Sequence, residues 1–474
     1  MDHALQPTAY DTVKYPSTIH KVTHPERLAV AARLAGLDPA PLARARVLEI
    51  GGGDCLGLIA FAAAWPESRC CGFDLAASTI ERGRVIAGQA VPNVTLEVGD
   101  ILTAHEIYAA GTFDYVIAHG VYAWVPAPVR AALMGLIAHV LAPDGVALVS
   151  YNAMPGGHIR LLLRGMVLHA VDGITDPDQR IAVARAFLTD YAQPREDDSP
   201  LDAGLRQQAG SMAERPASVL LHDEMGDTFA PQSLSQVVDA AGQVGLRFLT
   251  DAGPNHVLDG FLHADAPVSD DPDRQVLRQA QAGDYENLAF FRTTLLVHAH
   301  APLDRRIDAD RLRGLWVSAR FTALGDGEFS VGENRFGIAD PGFAERLGRL
   351  AHAAPGRMPV ADVVTDADQA LALIQLYREW FADLHLGPPP YAIAPGPKPT
   401  ASVLVRQTIA RGEDVVATLA HKLLRLDQPS LHSLLLAADG TRTVGELVAM
   451  DHGIAAGEVA PLLAKAAQMG LLEA

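Results

Sequence analysis

Arg46-Val47-Leu48-Glu49-Ile50-Gly51-Gly52-Gly53-Asp54, followed by Cys71-Gly72-Phe73-Asp74, is the stretch on which the reading of this chain turns. An apolar strand, Val47 to Ile50, runs straight into a glycine cluster and then into an apolar helix predicted over Leu56 to Ala64. That is the strand-turn-helix of a nucleotide-cradling fold. Gly51 and Gly53 let the backbone pass close under a bulky ligand and take torsions that a Cβ would forbid. The second strand, Arg69 to Phe73, ends in Asp74, whose carboxylate can accept hydrogen bonds from two ribose hydroxyls. The pairing predicts a nucleoside ligand.

A three-glycine dinucleotide signature would have its third glycine where this chain has Leu56, so close passage of a pyrophosphate is not indicated. Glu49 precedes the glycines instead. A carboxylate there repels phosphate and suits an ammonium. S-adenosylmethionine carries an α-amino group and a sulfonium but no phosphate, and the segment resembles the class I S-adenosylmethionine-dependent methyltransferases. The resemblance implies S-adenosyl-L-methionine as cofactor, held by Glu49, Gly51, Gly53, Asp74 and the adjoining Leu75.

Outward from this stretch, strand and helix signals alternate. Ser78 to Ala90 reads as a helix, Val94 to Val98 as a strand, Phe113 to Ala118 as the fourth strand, Val129 to Leu141 as a helix and Val146 to Tyr151 as the fifth strand. In this fold the Gly99-Asp100-Ile101 turn lies beside the adenine, with Asp100 taking the exocyclic amine and Ile101 the ring face. A helix over Leu234 to Gly245, a strand from Leu246 to Leu249 and another over Ala289 to His298 complete the prediction. It is an α/β, Rossmann-like, doubly wound, seven-stranded methyltransferase sheet filling residues 1–300. A helical insertion, about 156–215, is expected to form a lid or substrate platform, and about 215–300 to be a regulatory-domain-like segment.

Beyond residue 301 there is a weak internal repeat. Asp340-Pro341 and Gln428-Pro429 each precede an apolar helix. Each helix is followed by a glycine-led turn, Gly356-Arg357-Met358-Pro359 or Gly440-Thr441-Arg442-Thr443, and then by further helix. This predicts two small winged-helix-like α+β domains, 301–395 and 396–474, joined by the proline-rich Leu386 to Thr400.

Composition bounds the function. The 474 residues are 49% hydrophobic and 20% charged, an ordinary globular balance. A formal charge of −18 argues against nucleic acid as the main partner, because phosphate contacts need clustered basic surface. The first thirty residues lack a secretory pattern and no long apolar run occurs, so a cytoplasmic protein without membrane contact is expected. Cys55, Cys70 and Cys71 make no disulfide framework, and His20 with His24 lack carboxylate partners, so no metal is expected.

Tyr10-Asp11, Tyr15-Pro16, Thr23-His24-Pro25-Glu26-Arg27-Leu28, Ala118-His119-Gly120-Val121-Tyr122-Ala123-Trp124-Val125-Pro126, Ser150-Tyr151-Asn152 and His222-Asp223-Glu224 narrow the resemblance. Together they are similar to bacterial methyltransferases carrying a methyltransferase regulatory domain, a group that includes rickettsial-type protein-lysine methyltransferases. The resemblance implies transfer of methyl groups to lysine nitrogens of a protein or peptide. A small-molecule or peptide-natural-product acceptor is the alternative, and a non-catalytic cofactor-binding regulator the alternative of another class. His119, Tyr122, Tyr151 and Asn152 are the expected catalytic residues, with His119 also beside the cofactor. Tyr10, Tyr15 and Trp124 are expected to touch substrate. Thr23 and Glu26 suggest a capping box opening a helix that covers the pocket. A homodimer is compatible with the pattern.

Overall fold

The computed structural model describes residues 11, 13–253, 256–262 and 267–474; Tyr10 lies outside the described residues. The chain opens with an arm leading into α1 (Pro25–Leu34). It then alternates β1 (Arg46–Ile50), α2 (Leu56–Ala64), β2 (Arg69–Asp74), α3 (Ala77–Ala87), β3 (Val94–Val98), β4 (Phe113–Ala118), α4 (Ala127–Val140) and β5 (Leu141–Asn152). Three helices follow, α5 (Gly157–Ala170), α6 (Pro177–Tyr191) and α7 (Pro200–Ala213), before α8 (Leu234–Gln243), β6 (Leu246–Asp251), α9 (Pro272–Glu286) and β7 (Phe291–His298). The predicted strands thus pair into one seven-stranded sheet in the order β3-β2-β1-β4-β5-β7-β6, with β7 antiparallel to both neighbours.

Alternation along the strands builds the two faces. Val47, Tyr115, Ile117 and Leu148 point to one side with Leu28, Leu34, Ile59 and Phe61, while Leu48, Ile50, Val116 and Ala118 point to the other with Leu133, Ile137, Val237 and Ala241. The helical insertion keeps a separate small core, Leu163, Val167, Leu188 and Met212. Within it, α7 starts on a reciprocal capping box between Ser199 and Asp202.

The capping box predicted at the start of α1 does not form. His24 is the N-cap, its Nδ1 accepting the Glu26 amide at 3.0 Å. The Glu26 carboxylate is instead drawn away to Arg357 at 3.0 and 3.1 Å and to His385 Nδ1 at 3.0 Å. Burial opposes its charge, but His385 and Arg357 hold it well below the usual carboxylate range. Beside it, Asp383 gathers Lys21, Arg27 and Arg320 at 2.8, 2.8 and 2.7 Å. A short N-terminal segment is thereby fastened to residues more than three hundred positions away.

Those partners belong to the middle segment: β8 (Trp316–Ala319), a meander of β9 (Thr322–Gly325), β10 (Glu328–Val331) and β11 (Asn334–Gly337), then α10 (Pro341–Ala353), β12 (Met358–Pro359), α11 (Ala367–Arg378) and β13 (Ala382–His385). β8 lies between β12 and β13, antiparallel to both. Its core residues Val317, Leu347, Leu350 and Leu373 are continuous with those of α1 and the sheet, so no apolar boundary falls at residue 301.

The C-terminal segment comprises α12 (Val403–Ala410), the hairpin β14 (Val415–Ala417) and β15 (Leu423–Arg425), α13 (Pro429–Ala437), α14 (Val444–Ala449) and α15 (Ala456–Gln468). It has a core of its own around Val405, Leu434, Leu447 and Leu463. Thr400 and Ala401 form antiparallel bridges to Asp439 and Leu472, the same central position that β8 takes in the first copy of the repeat. Among the described residues no helix is long and apolar enough to cross a membrane.

Candidate functional site

The glycine loop lies at the carboxyl end of β1. Gly51 has φ +64° and donates to the Phe73 carbonyl at 2.8 Å; a Cβ on it would fall 2.6 Å from Val121 Cγ2. Gly53 has φ +60° and donates to Asp74 Oδ2 at 2.9 Å, yet a Cβ there would meet nothing within 4 Å. It faces open space. The other Asp74 oxygen accepts the Ala76 amide at 2.8 Å at the start of α3, so this carboxylate ties the loop to β2; burial raises its pKa. Leu75, next along, is 41% exposed.

Glu49 bends beneath the loop, against Gly52 and Cys55. Its Oε2 is buried without a hydrogen-bond partner, and burial, reinforced by the charges of Asp54 and Asp74, pushes its pKa up to about 8. Asp54 is satisfied by Arg82 at 2.9 Å, the Leu56 amide at 3.3 Å and the Ser17 hydroxyl. Asp100 Oδ1 is occupied by the Leu102 amide at 3.0 Å within its own turn, while Ile101 packs against the core of the α4 face.

α1 does not form the roof of this loop, because it is buried in the core of the sheet. The roof is the arm before it. Asp11 accepts the Ser78 amide at 2.9 Å, the Val13 carbonyl meets His222 Nε2 at 2.7 Å, the Tyr15 hydroxyl donates to Asp223 at 3.4 Å and Ser17 donates to Asp54. His222 and Asp223 lie in a π-helical turn, Leu220–Glu224.

At the end of β4 the His119 ring lies 4.2 Å from that of His20 and 5.8 Å from that of Phe291, centroid to centroid. Its Nδ1 is buried without a partner, and burial, with His20 beside it, lowers its pKa to about 3. Asn152 closes β5 opposite Phe291 in register, and its Oδ1 is also buried and unpartnered. Two of the expected catalytic residues therefore meet around one phenylalanine.

The remaining sequence candidates are placed otherwise. Tyr151 is 1% exposed, with its hydroxyl bonded to Thr294 at 2.9 Å inside the sheet, so it cannot reach an acceptor amine. Tyr122 is likewise buried, packed edge-on against Tyr151 at 6.2 Å. Trp124 already holds a cation: the Arg160 guanidinium lies 5.0 Å from its ring and 5.1 Å from Phe229, and pairs with Asp223 and Glu224 at 3.1 and 2.6 Å. Tyr15 is engaged with Asp223. Phe291 and His20 were not among the sequence candidates. His20 enters the sequence reading only as a possible metal ligand, and Phe291 only as part of a strand, where alternation gives no sign that the first side chain of β7 leaves the core.

The donor set fits S-adenosylmethionine. Glu49 is a buried acid lacking a cation, Asp74 has oxygen lone pairs at the second strand's end, and Gly53 opens onto space a side chain would fill. A family model described as "Methyltransferase domain" matches residues 47–145. An uncharacterized protein of Rickettsia prowazekii is 30% identical over 243 residues, covering 51% of this chain and 96% of that protein. A second from the same organism is 27% identical over 306 residues, covering 64% of this chain but only 55% of that longer protein. In fold, the chain is similar to PKMT2 from Rickettsia typhi, with a TM-score of 0.80 at 21% identity over 97% of this chain and 100% of that one; PKMT2 has also been solved in complex with AdoHcy. The chain belongs to the class I S-adenosylmethionine-dependent methyltransferases, in one family with the Rickettsia prowazekii protein that is 30% identical to it.

Proposed function

We propose that the chain methylates lysine side-chain nitrogens of a protein or peptide. The observation that carries this reading is the pair of unpartnered buried atoms, His119 Nδ1 and Asn152 Oδ1, beside Phe291. An amine brings N–H groups to oxygen and nitrogen acceptors that otherwise go unsatisfied. The likeness in fold to PKMT2 supports the same acceptor class.

The cofactor supplies an electrophilic methyl carbon for in-line displacement. The protein's part is alignment and exclusion of water. Glu49 offsets the cofactor's ammonium, while Gly53 and Asp74 receive its nucleoside half. Asp100 and Ile101 border the base, and Leu75 lies alongside. Tyr15, in the arm over the glycine loop, is placed to touch substrate; Trp124, filled by Arg160, shapes the wall. His119, with a pKa of about 3, is a neutral imidazole at physiological pH and far too weak a base to take a proton from an ammonium. It orients the amine in the Nε2-protonated tautomer. A lysine in water titrates near ~10.4, so delivering it as the free amine costs roughly 4 kcal/mol at neutral pH, and a partly apolar surround with an adjacent positive charge reduces that.

Under the same reading, residues 301–395 and 396–474 are two winged-helix-like domains for protein contact, the helical insertion is a substrate platform, and the enzyme works in the cytoplasm.

The deciding experiment incubates the enzyme with cell lysate and S-adenosylmethionine deuterated at the methyl group, followed by mass spectrometry. Label on lysines of particular proteins is expected; label confined to small molecules would move the reading to the alternative acceptor class. His119→Ala and Asn152→Ala should each cut turnover by roughly a hundredfold through misplacement of the acceptor. Cofactor affinity by calorimetry should stay near wild type, and parallel loss of both would reduce these residues to structural ones.

Glu49 makes a separate prediction. With a pKa of about 8 it is largely protonated at pH 7, and an ammonium beside it favours the ionised form, so cofactor binding should expel a proton. Affinity should therefore rise with pH up to about 8 and level off above. Calorimetry in buffers of differing ionisation enthalpy checks this; Glu49→Gln should abolish the proton release, and no release from wild type would remove Glu49 from the ammonium site.

A further inference from the structure

The C-terminal segment has its own core, yet one part of it leaves that core. Ala417 and Leu423, at the ends of the β14–β15 hairpin, pack with the large cluster that includes α1 and α2. The tip between them is tightly closed, the Thr418 amide donating to Lys422 at 2.9 Å and the His421 amide to Thr418 at 3.0 Å. This places His421 at φ +55°, a conformation unusual for histidine, with 6% of its surface exposed.

The His421 ring is wedged between the start of α1 and the first turn of α2, the helix that follows the glycine loop. It stands edge-on to His24, the N-cap of α1, with centroids 4.8 Å apart. Its Cε1 and Nε2 lie 3.4 and 3.7 Å from where a Cβ on Gly57 would sit, in the first turn of α2. The His20 backbone lies nearby, yet neither ring nitrogen completes a hydrogen bond, and the buried Thr418 hydroxyl lacks a partner as well. Three orphaned polar atoms at one strained hairpin tip are costly when left unpaired. An apolar side chain would pack there without that penalty. They lie against the elements that carry Gly51 to Asp54 on one side and lead back to His20 on the other.

We infer that the C-terminal segment is a working part of the cofactor site: through His421, a positioning residue, it sets the first turn of α2 and the start of α1. By linkage, cofactor binding and docking of the hairpin then strengthen each other by the same factor. Anything that draws the hairpin away, such as a protein bound to the C-terminal segment, lowers cofactor affinity without touching the cleft. This rests on the assignment of the cofactor to the glycine loop but not on the identity of the methyl acceptor.

Two measurements on the full-length chain test it. His421→Asn keeps a residue that tolerates positive φ but is too short to reach His24 and Gly57. Calorimetric titration with S-adenosylmethionine should show about a tenfold loss of affinity, with a thermal midpoint close to wild type. In the wild-type chain, hydrogen exchange at the amides of residues 418–423 should slow on adding S-adenosylhomocysteine, a response that simple packing would not give. Unchanged affinity in a folded variant overturns the inference, as does exchange at the hairpin that ignores the ligand. If the variant does not fold, the wild-type exchange result decides alone. Were the glycine-loop assignment itself wrong, Asp74→Ala would also leave affinity unchanged, which separates the two failures.

Discussion

Gly53→Asn is expected to abolish cofactor binding while leaving the protein folded. Gly53 has φ +60°, which asparagine accepts more readily than other side chains, so the backbone strain is small. A Cβ at this position meets no protein atom within 4 Å, so nothing in the free enzyme has to move. The side chain would occupy the space that the loop leaves for its ligand. Affinity should fall by about a hundredfold or more, a change of at least ~2.7 kcal/mol. Gly51 offers a contrast, since its Cβ would fall 2.6 Å from Val121 and disturb the fold itself. Calorimetry with S-adenosylmethionine, paired with thermal denaturation, reads both quantities. Wild-type affinity in a folded Gly53→Asn protein would show that the cradle is elsewhere.

Asp74→Ala should be nearly as damaging, for a different reason. The carboxylate accepts the Gly53 amide at 2.9 Å and the Ala76 amide at 2.8 Å while keeping lone pairs for ribose hydroxyls. Truncation releases the loop and removes the ribose acceptors together. Hydrogen bonds to a charged group contribute roughly 1.5–3 kcal/mol each, so losing one ribose contact should lower affinity about 10- to 150-fold and losing both by more than about 100-fold. Because burial already raises the pKa of Asp74, removing the acid also relieves a desolvation penalty, and stability of the free protein should change little. Asp74→Asn can accept from one ribose hydroxyl but presents an NH2 to one of the two amides, so it should fall between wild type and alanine. An alanine variant that binds as wild type does would sink the assignment of β2's terminus to the nucleoside.

The sheet was legible because its evidence is local. Each apolar run between Val47 and Ile50 or Phe113 and Ala118 is bounded by glycine or a polar turn, and a doubly wound sheet follows from alternating strand and helix. Even so, α3 ends at Ala87 on Gly88, which has φ +52°, whereas apolar periodicity extends the expected helix to Ala90. The fifth strand begins at Leu141, earlier than its apolar run, because pairing with Phe113 continues the ladder past the Asp144-Gly145 turn signal.

The site divides along the same line. Gly51, Gly53 and Asp74 could be placed at the ends of β1 and β2 from spacing because backbone torsion and strand-end position are properties of a short segment. Tyr151, Tyr122 and Trp124 could not be placed that way. An aromatic residue after a strand reads the same whether it lines a cleft or is spent on Thr294, a second tyrosine or Arg160, and those partners come from residues remote in sequence. Glu26 shows the limit at the scale of one turn: Thr23 and Glu26 have the spacing of a capping box, but Arg357 and His385 offer a buried carboxylate more than one backbone amide can.

From the sequence alone come the sheet, the glycine loop and the two carboxylates beside it, Glu49 and Asp74, all consequences of chain geometry and charge within short segments. Only the tertiary structure determines which polar atoms remain without partners, among them Glu49 Oε2, His119 Nδ1, Asn152 Oδ1 and both nitrogens of His421. Whether a buried group is satisfied depends on every segment folded against it, and for this protein those segments span from the arm at Ser17 and His20 to the hairpin at His421.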